Sequence, residues 1–175
     1  MNSSGFAGFS PGDRGGEPFR VAVRPASDLD IPAILEVNDL AGRPANTMES
    51  LAAAISDPGR LVVAATVDGR LAGWAKTHYW DHADGAAPAG HYLGGVTVLQ
   101  ALRRRGVATS LTNARLDWIW ERSGTAWYVV NAGNLPSIEL HRQWGFSEAA
   151  RASRFHTTTF TGGTGLLMRA RRPGR

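Results

Sequence analysis

Residues 94–120 read GGVTVLQALRRRGVATSLTNARLDWIW. The apolar, glycine-led opening as far as Val98 predicts a buried strand. Val107, Leu111, Ala114 and Trp118, widened by Ala108, Thr109 and Ile119, recur at helical spacing and predict an amphipathic helix over about 105–122. The start of that helix is chemically unusual. A helix N-terminus carries partial positive charge and unpaired N–H groups and favours Asp or Glu, so a cation there costs roughly 0.3–1 kcal/mol. Arg103, Arg104 and Arg105 stand in that position, followed by Gly106, which lets the backbone come close to a ligand. An anion held by the N–H groups of residues 104–109 would satisfy donors, dipole and arginines together. A polyphosphate fits that description; a solvated charged loop is the alternative.

Working outward, the N-terminal side opens with FRVAVRP (19–25), whose alternation predicts a strand. Ser27 or Asp28 caps a helix over about 29–40, with Ile31, Ile34, Leu35 and Val37 inward, and a second helix covers 47–56 before the stop at Asp57-Pro58-Gly59. Residues 61–67 and 71–80 flank Asp68-Gly69 as an antiparallel hairpin. A loop at 81–90 leads into the strand 91–98. Beyond the central helix come a strand at 126–131, a helix at 135–143, and closing strands at 146–151, 155–160 and 166–169. This is an α/β plan with the anion site at a strand-to-helix junction.

Composition bounds the function. A chain of 175 residues supports one domain, expected at 19–170 between a flexible arm (1–18, rich in Gly, Ser and Pro) and a basic tail (171–175). The absence of cysteine excludes disulfides, thiolate nucleophiles and cysteine metal sites, and fits a reducing compartment. No apolar run approaches the ~18 residues of a membrane span and no secretory leader is evident, so a cytoplasmic protein without a membrane partner is expected. Lys76 is the one lysine, so the formal charge of +4 is almost all arginine, which suits bidentate phosphate contacts and equally fits a genomic base bias. No aromatic interleaving accompanies Arg103–Arg105, so a nucleic-acid partner is not expected.

Two motifs carry a family resemblance. Val98, Arg103, Gly106 and Ala108 fit the V-x(4)-[RQ]-x-x-G-x-[GA] pattern of the GCN5-related N-acetyltransferase (GNAT) superfamily, in the strand-turn-helix context that the pattern needs. Asn131, Asn134 and the run Leu140-His141-Arg142-Gln143-Trp144-Gly145-Phe146 resemble the family's asparagine-led segment ending L-Y-x-K-x-G-F, and Gly145 is placed to end a helix in a left-handed cap. The resemblance covers about 19–170 and implies a central mixed, mostly antiparallel sheet of 6–7 strands flanked by about four helices. It further implies acetyl-CoA as cosubstrate, with no metal. Its pyrophosphate would be gripped by Arg103, Arg104, Arg105, Gly106, Val107, Ala108 and Thr109, and its pantetheine would pair with Val96, Thr97 and Val98. Asn134 and Ser137 would assist, Ser137 by bonding the cofactor or orienting the acid.

His141 stands where most members have the tyrosine that protonates the leaving thiolate. An imidazolium can take that role, and a packed core histidine is the alternative. The strand glutamate that many members use as base is missing. His91 and Tyr92 are the candidates on that strand, with Asp81, His82 and Asp84 on the loop before it. Alternation puts His91 and Tyr92 on opposite faces, so only one can line a cleft without a bulge; parity favours Tyr92 and chemistry favours His91. The Val98 N–H is the implied oxyanion donor. Trp74, Tyr79, Trp80 and Asp81 are candidates for an aromatic, cation-attracting acceptor site, or else core. The function expected is transfer of acetyl from acetyl-CoA to a primary amine of a small molecule, by direct attack in a ternary complex. The alternatives are acetylation of a protein N-terminus or lysine, and a non-catalytic acyl-CoA sensor. An exposed closing-strand edge is compatible with a homodimer.

Overall fold

A computed structural model describes residues 16–44, 46–160 and 162–174. Most of the expected N-terminal arm, and the last residue of the expected tail, lie outside them. The chain runs β1 (Ala22–Pro25), α1 (Ile31–Leu40), α2 (Met48–Ser56), β2 (Val62–Val67), β3 (Arg70–Trp80), β4 (Gly90–Val98), α3 (Val107–Trp120), β5 (Thr125–Asn131) and α4 (Leu135–Arg142). It closes with β6 (Ser147–Ala152), the two-residue strands β7 (Arg154–Phe155) and β8 (Thr158–Thr159), and β9 (Gly165–Arg171). Seven strands form one sheet in the order β1-β2-β3-β4-β5-β9-β6. The β1–β2, β2–β3, β5–β9 and β6–β9 pairs are antiparallel, and β4 pairs β5 in parallel at Tyr92 opposite Trp127. This is the mixed, mostly antiparallel sheet with four helices that the sequence implies.

The chain resolves into two compact units. One takes in residues 16–79 and 93–122. Its strand β2 is covered on both faces: Val62 joins Ile31, Ile34, Val37, Leu51, Ala54 and Trp74 in one cluster, while Val63, Ala65 and Val67 pack with Ala75, Val98, Val107 and Leu111 in another. The β2–β3 turn is the expected two-residue Asp68-Gly69 loop, both residues at positive φ (49° and 78°), as a type I′ hairpin requires. At the entry to α1, Asp30 accepts from the Ser27 N–H (2.8 Å) and pairs with Arg24 (2.7 Å). Thr47 caps α2 by accepting from the Ser50 N–H at 3.1 Å.

The buried face of α3 differs from the expected one. Val107, Leu111 and Ile119 are buried as expected, but the face also takes in Thr112, Arg115 and Leu116, leaving Ala114 and Trp118 partly exposed. The spacing 107, 111, 115 is helical too; a charged residue at the third position turned the expected stripe away from it.

In the other unit, residues 80–92 and 123–174, β5 pairs along its length with β9, from Thr125–Arg171 to Asn131–Gly165. The strand reaches Arg171 rather than stopping at 169, which draws the first residue of the expected tail into the sheet. Helix α4 ends as expected, with Gly145 left-handed at φ 75°. The expected strand 155–160 does not form. His156 takes a left-handed backbone (φ 46°) and folds the segment into the β7–β8 hairpin, its ring stacked on Trp80 at 4.3 Å.

Candidate active site

The start of α3, where the sequence leads one to expect an anion, is built from backbone. Gly106 holds φ 92°, a conformation that strains any L side chain, and nothing lies within 4 Å of where its Cβ would be. The first turn of α3 contains no acid. The Ser110 N–H is tied to the Gly106 carbonyl (2.9 Å), and the N–H groups ahead of it have no acceptor within the helix by helical geometry. Val107 and Leu111, 1% and 0% exposed, fix the helix beneath this turn.

The three arginines stand in three different settings. Arg103 donates from Nε to the Val98 carbonyl (3.2 Å), tying the loop to the end of β4. Arg104 is exposed, with a left-handed backbone at φ 61°. Arg105 lays its guanidinium over the Phe19 ring (3.6 Å) and donates to the Glu17 carbonyl (2.9 Å), while the Phe19 N–H returns to the Arg105 carbonyl (3.1 Å). Glu17 belongs to the expected flexible arm, and Arg105 holds it against the loop.

Strand β4 carries a feature that the sequence reading missed. A Cβ at Gly94 would lie 2.9 Å from both Cγ and the carbonyl of Lys76 and 3.0 Å from His78 Cδ2, so only glycine fits there. Beneath it, Arg115 is fully buried and donates to the carbonyls of Lys76 (3.2 Å), Gly94 (2.9 Å) and Leu111 (3.2 Å) and to Thr112 Oγ1 (2.9 Å). Burial lowers its pKa to about 9, which leaves it charged at neutral pH. Burial, with Lys76 and Arg60 nearby, pushes His78 down to about 4, so its imidazole is neutral at pH 7. Desolvation, then Arg60, also lowers Lys76.

The second motif lies in α4. Asn134 caps the helix by accepting from the Ser137 N–H (3.3 Å), and the Ser137 carbonyl accepts from His141 Nδ1 at 2.7 Å. That bond fixes the tautomer: in neutral His141 the proton is on Nδ1, so Nε2 can donate only from the imidazolium. Ser137 thus meets His141 through its main-chain carbonyl, a contact that does not depend on its hydroxyl. The His141 ring is buried, stacked on Tyr128 at 4.3 Å and edge-on to Phe146 at 5.7 Å. Tyr128, also unforeseen, has its hydroxyl buried without a hydrogen-bond partner among the described residues, and desolvation raises its pKa. Residues 126–130 are apolar throughout, so the sequence carries no alternation to show that Tyr128 faces inward.

His91 and Tyr92 are both buried, with Leu93 after them, so β4 is covered on both faces there and parity does not separate them. Chemistry does. The Tyr92 hydroxyl donates to the Pro88 carbonyl at 2.7 Å and burial raises its pKa, which makes a phenol that keeps its proton and a poor base. Among the loop candidates, Asp81 bonds His82 (2.7 Å), which holds its carboxyl below the usual range, and Asp84 pairs with Arg154 (2.9 Å). Trp80, His82 and Tyr92 surround the His156 ring, at 4.3, 5.8 and 5.4 Å. Tyr79 is 46% exposed. Trp74 is core: 4% exposed, it donates from Nε1 to Asn38 Oδ1 at 2.9 Å, which takes it out of any acceptor wall.

The order of strands and helices, together with a glycine-turned helix start at the end of β4, defines an acetyltransferase class, and the Acetyltransferase (GNAT) family matches residues 31–146; the chain belongs to that family. A curated relative, the mycothiol acetyltransferase of Clavibacter sepedonicus, is 36% identical over 103 residues, covering 58% of this chain and 32% of its own length. The chain thus spans about a third of the length of that relative. Among solved structures, the ribosomal-protein-S18-alanine N-acetyltransferase from Escherichia coli superimposes with a TM-score of 0.69 at 21% identity, covering 89% of this chain and 97% of that one. The protein yncA from Salmonella typhimurium, solved with its cofactor acetyl-CoA, gives 0.70 at 17% identity, covering 89% and 95%. At such identities the likeness is one of fold. No described helix is long and apolar enough to cross a membrane.

Proposed function

We propose that this chain, as one acetyltransferase domain over 19–170, moves an acetyl group from acetyl-CoA to a primary amine of a small molecule by direct attack in a ternary complex. The observation that carries the reading is the start of α3, where a left-handed Gly106, arginines and no acid leave the first-turn N–H groups suited to a pyrophosphate. A small-molecule acceptor is favoured because the curated relative at 36% identity is named for mycothiol, whereas the protein N-acetyltransferases are similar at fold level only.

The cofactor supplies the activated acyl group. The chain's own residues then divide the work. Residues 96–98 hold the pantetheine arm, and the Val98 N–H meets the carbonyl oxygen as charge develops; a donor of this kind is worth about 2.7–4 kcal/mol in other enzymes. His91 takes the amine proton, directly or through water, since Tyr92 keeps its own. His141, as imidazolium, protonates the departing thiolate. Tyr79, Trp80 and Asp81 remain the acceptor candidates.

The test is thiol release from acetyl-CoA over a panel of small amines and N-terminal and lysine peptides, alongside thermal melts with acetyl-CoA. A small amine is expected to give the fastest release. Faster release with a peptide assigns the protein-acetylating alternative. A melting shift without release on any acceptor assigns a sensor, and no shift at millimolar cofactor overturns the reading altogether.

A further inference from the structure

We propose that Arg115 is a positioning residue for acetyl transfer: from the middle of α3, its guanidinium clamps the carbonyls of Lys76 and Gly94 and holds β4 in the shape in which residues 96–98 receive the pantetheine arm. The inference rests on the function proposed above.

The first observation is the cost of the group where it stands. Arg115 is 0% exposed, and its four hydrogen-bond acceptors are neutral oxygens, with no carboxylate among them. A buried cation without a counter-charge is expensive, and an apolar side chain of similar volume meets no such cost. Packing alone does not call for arginine at this position.

The second observation is where the guanidinium points. A single nitrogen, Nη1, donates both to the Lys76 carbonyl of β3 and to the Gly94 carbonyl of β4. In a regular ladder each carbonyl faces an N–H of the next strand. Here two carbonyls of neighbouring strands converge on one side-chain nitrogen, and their dipoles repel unless a cation lies between them. The missing side chain at Gly94 allows the close approach, since a Cβ would meet Lys76 and His78 within 3.0 Å.

The third observation is position along β4. Gly94 and the exposed Gly95 are the most flexible pair in the strand and come immediately before Val96. Left to themselves they would loosen the segment that must present its backbone to a ligand. Arg115 supplies the order that the glycines lack, and Thr112, bonded to Nη2 at 2.9 Å, aims the fork.

The experiment compares two ligands on Arg115→Met, Arg115→Lys and the milder Thr112→Val. Acetyl-CoA engages both ends of the site, whereas adenosine 3′-phosphate 5′-diphosphate carries the pyrophosphate and lacks the pantetheine. Calorimetric titration is expected to give Arg115→Met a diphosphate affinity within about twofold of wild type, and acetyl-CoA binding weaker by about tenfold or more, the scale of losing charge-assisted bonds. Arg115→Lys, which keeps the charge and one donor head, is expected to recover part of the loss, and Thr112→Val to fall between Lys and wild type. If Arg115→Met does not fold, Arg115→Lys and Thr112→Val decide the matter. The inference is overturned if the ratio of the two affinities stays within about twofold of wild type in every folded variant, or if both affinities fall together with the melting temperature, as a merely structural role would have it. Failure of the wild-type protein to bind acetyl-CoA would instead overturn the proposed function.

Discussion

His141→Phe separates an acid from a packed histidine, because the structure lets the two contributions be sized apart. Phenylalanine keeps the ring that stacks on Tyr128 at 4.3 Å and meets Phe146 edge-on at 5.7 Å, contacts worth about 0.5–1.5 kcal/mol each. It loses the 2.7 Å bond from Nδ1 to the Ser137 carbonyl, a net loss of about 0.5–1.5 kcal/mol. At about 2–4 °C per kcal/mol for a chain of this size, the melting temperature should fall by roughly 1–6 °C. Catalysis should suffer far more. A positioned general acid contributes about 10²–10⁴-fold, and a thiolate, already a fair leaving group, puts the expectation near ~10²-fold in kcat, or about 2.7 kcal/mol of barrier. Acetyl-CoA KM should change by less than about threefold, since the pyrophosphate grip proposed above lies in another part of the chain. Initial rates of thiol release with the best amine, run beside thermal melts, make both measurements on one preparation. A variant that melts as expected yet turns over within about threefold of wild type would refute the acid role and leave His141 as core.

Two further predictions concern pH. The Arg24 guanidinium, with the Ser27 N–H, holds the Asp30 carboxyl at about 2, below its unfolded value of ~3.9; its contribution is therefore complete above pH ~4 and lost as pH falls through ~2. Allowing for the exposed guanidinium, Asp30→Asn should cost about 1 kcal/mol at pH 7 in a urea titration, with the gap from wild type closing toward pH ~2; a gap unchanged at low pH would count against the linkage. His78, faced by Lys76, Arg60 and the Gly94 backbone, is held down to about 4 in the fold against ~6.5 unfolded, so the unfolded chain binds more protons and stability falls as pH drops from ~6.5 to ~4. His78→Phe should flatten that slope by on the order of 1–2 kcal/mol across the window, and parallel curves for the two proteins would show that some other group carries it.

The elements that sequence reading placed well are those whose causes are local. Asp68-Gly69 dictates its own hairpin turn, Gly106 and Gly145 take the left-handed conformations that end one segment and begin the next, and the two motif segments fall at the starts and ends of the helices expected of them. Where the cause was distant, the reading failed. Nothing in residues 155–160 announces that His156 will turn back to stack on Trp80, and nothing near Trp74 announces Asn38 as the partner that keeps it in the core.

The contacts that shape the candidate site have a further property in common. Arg103 bonds the carbonyl of Val98, Arg105 that of Glu17, Arg115 those of Lys76 and Gly94, Tyr92 that of Pro88, and His141 that of Ser137. In each, one partner is main chain, and a main-chain carbonyl is the same whatever residue carries it. Sequence patterns can flag a charged or aromatic side chain, but they do not spell its acceptor. Arg105, expected at a phosphate, spends its Nε on the Glu17 carbonyl; Tyr92, one of two base candidates, donates to Pro88; and Arg115 was left off the buried face of α3. A polar side chain that serves the backbone looks, from sequence, like one that serves solvent. The distinction becomes visible only when the neighbouring strand is in place.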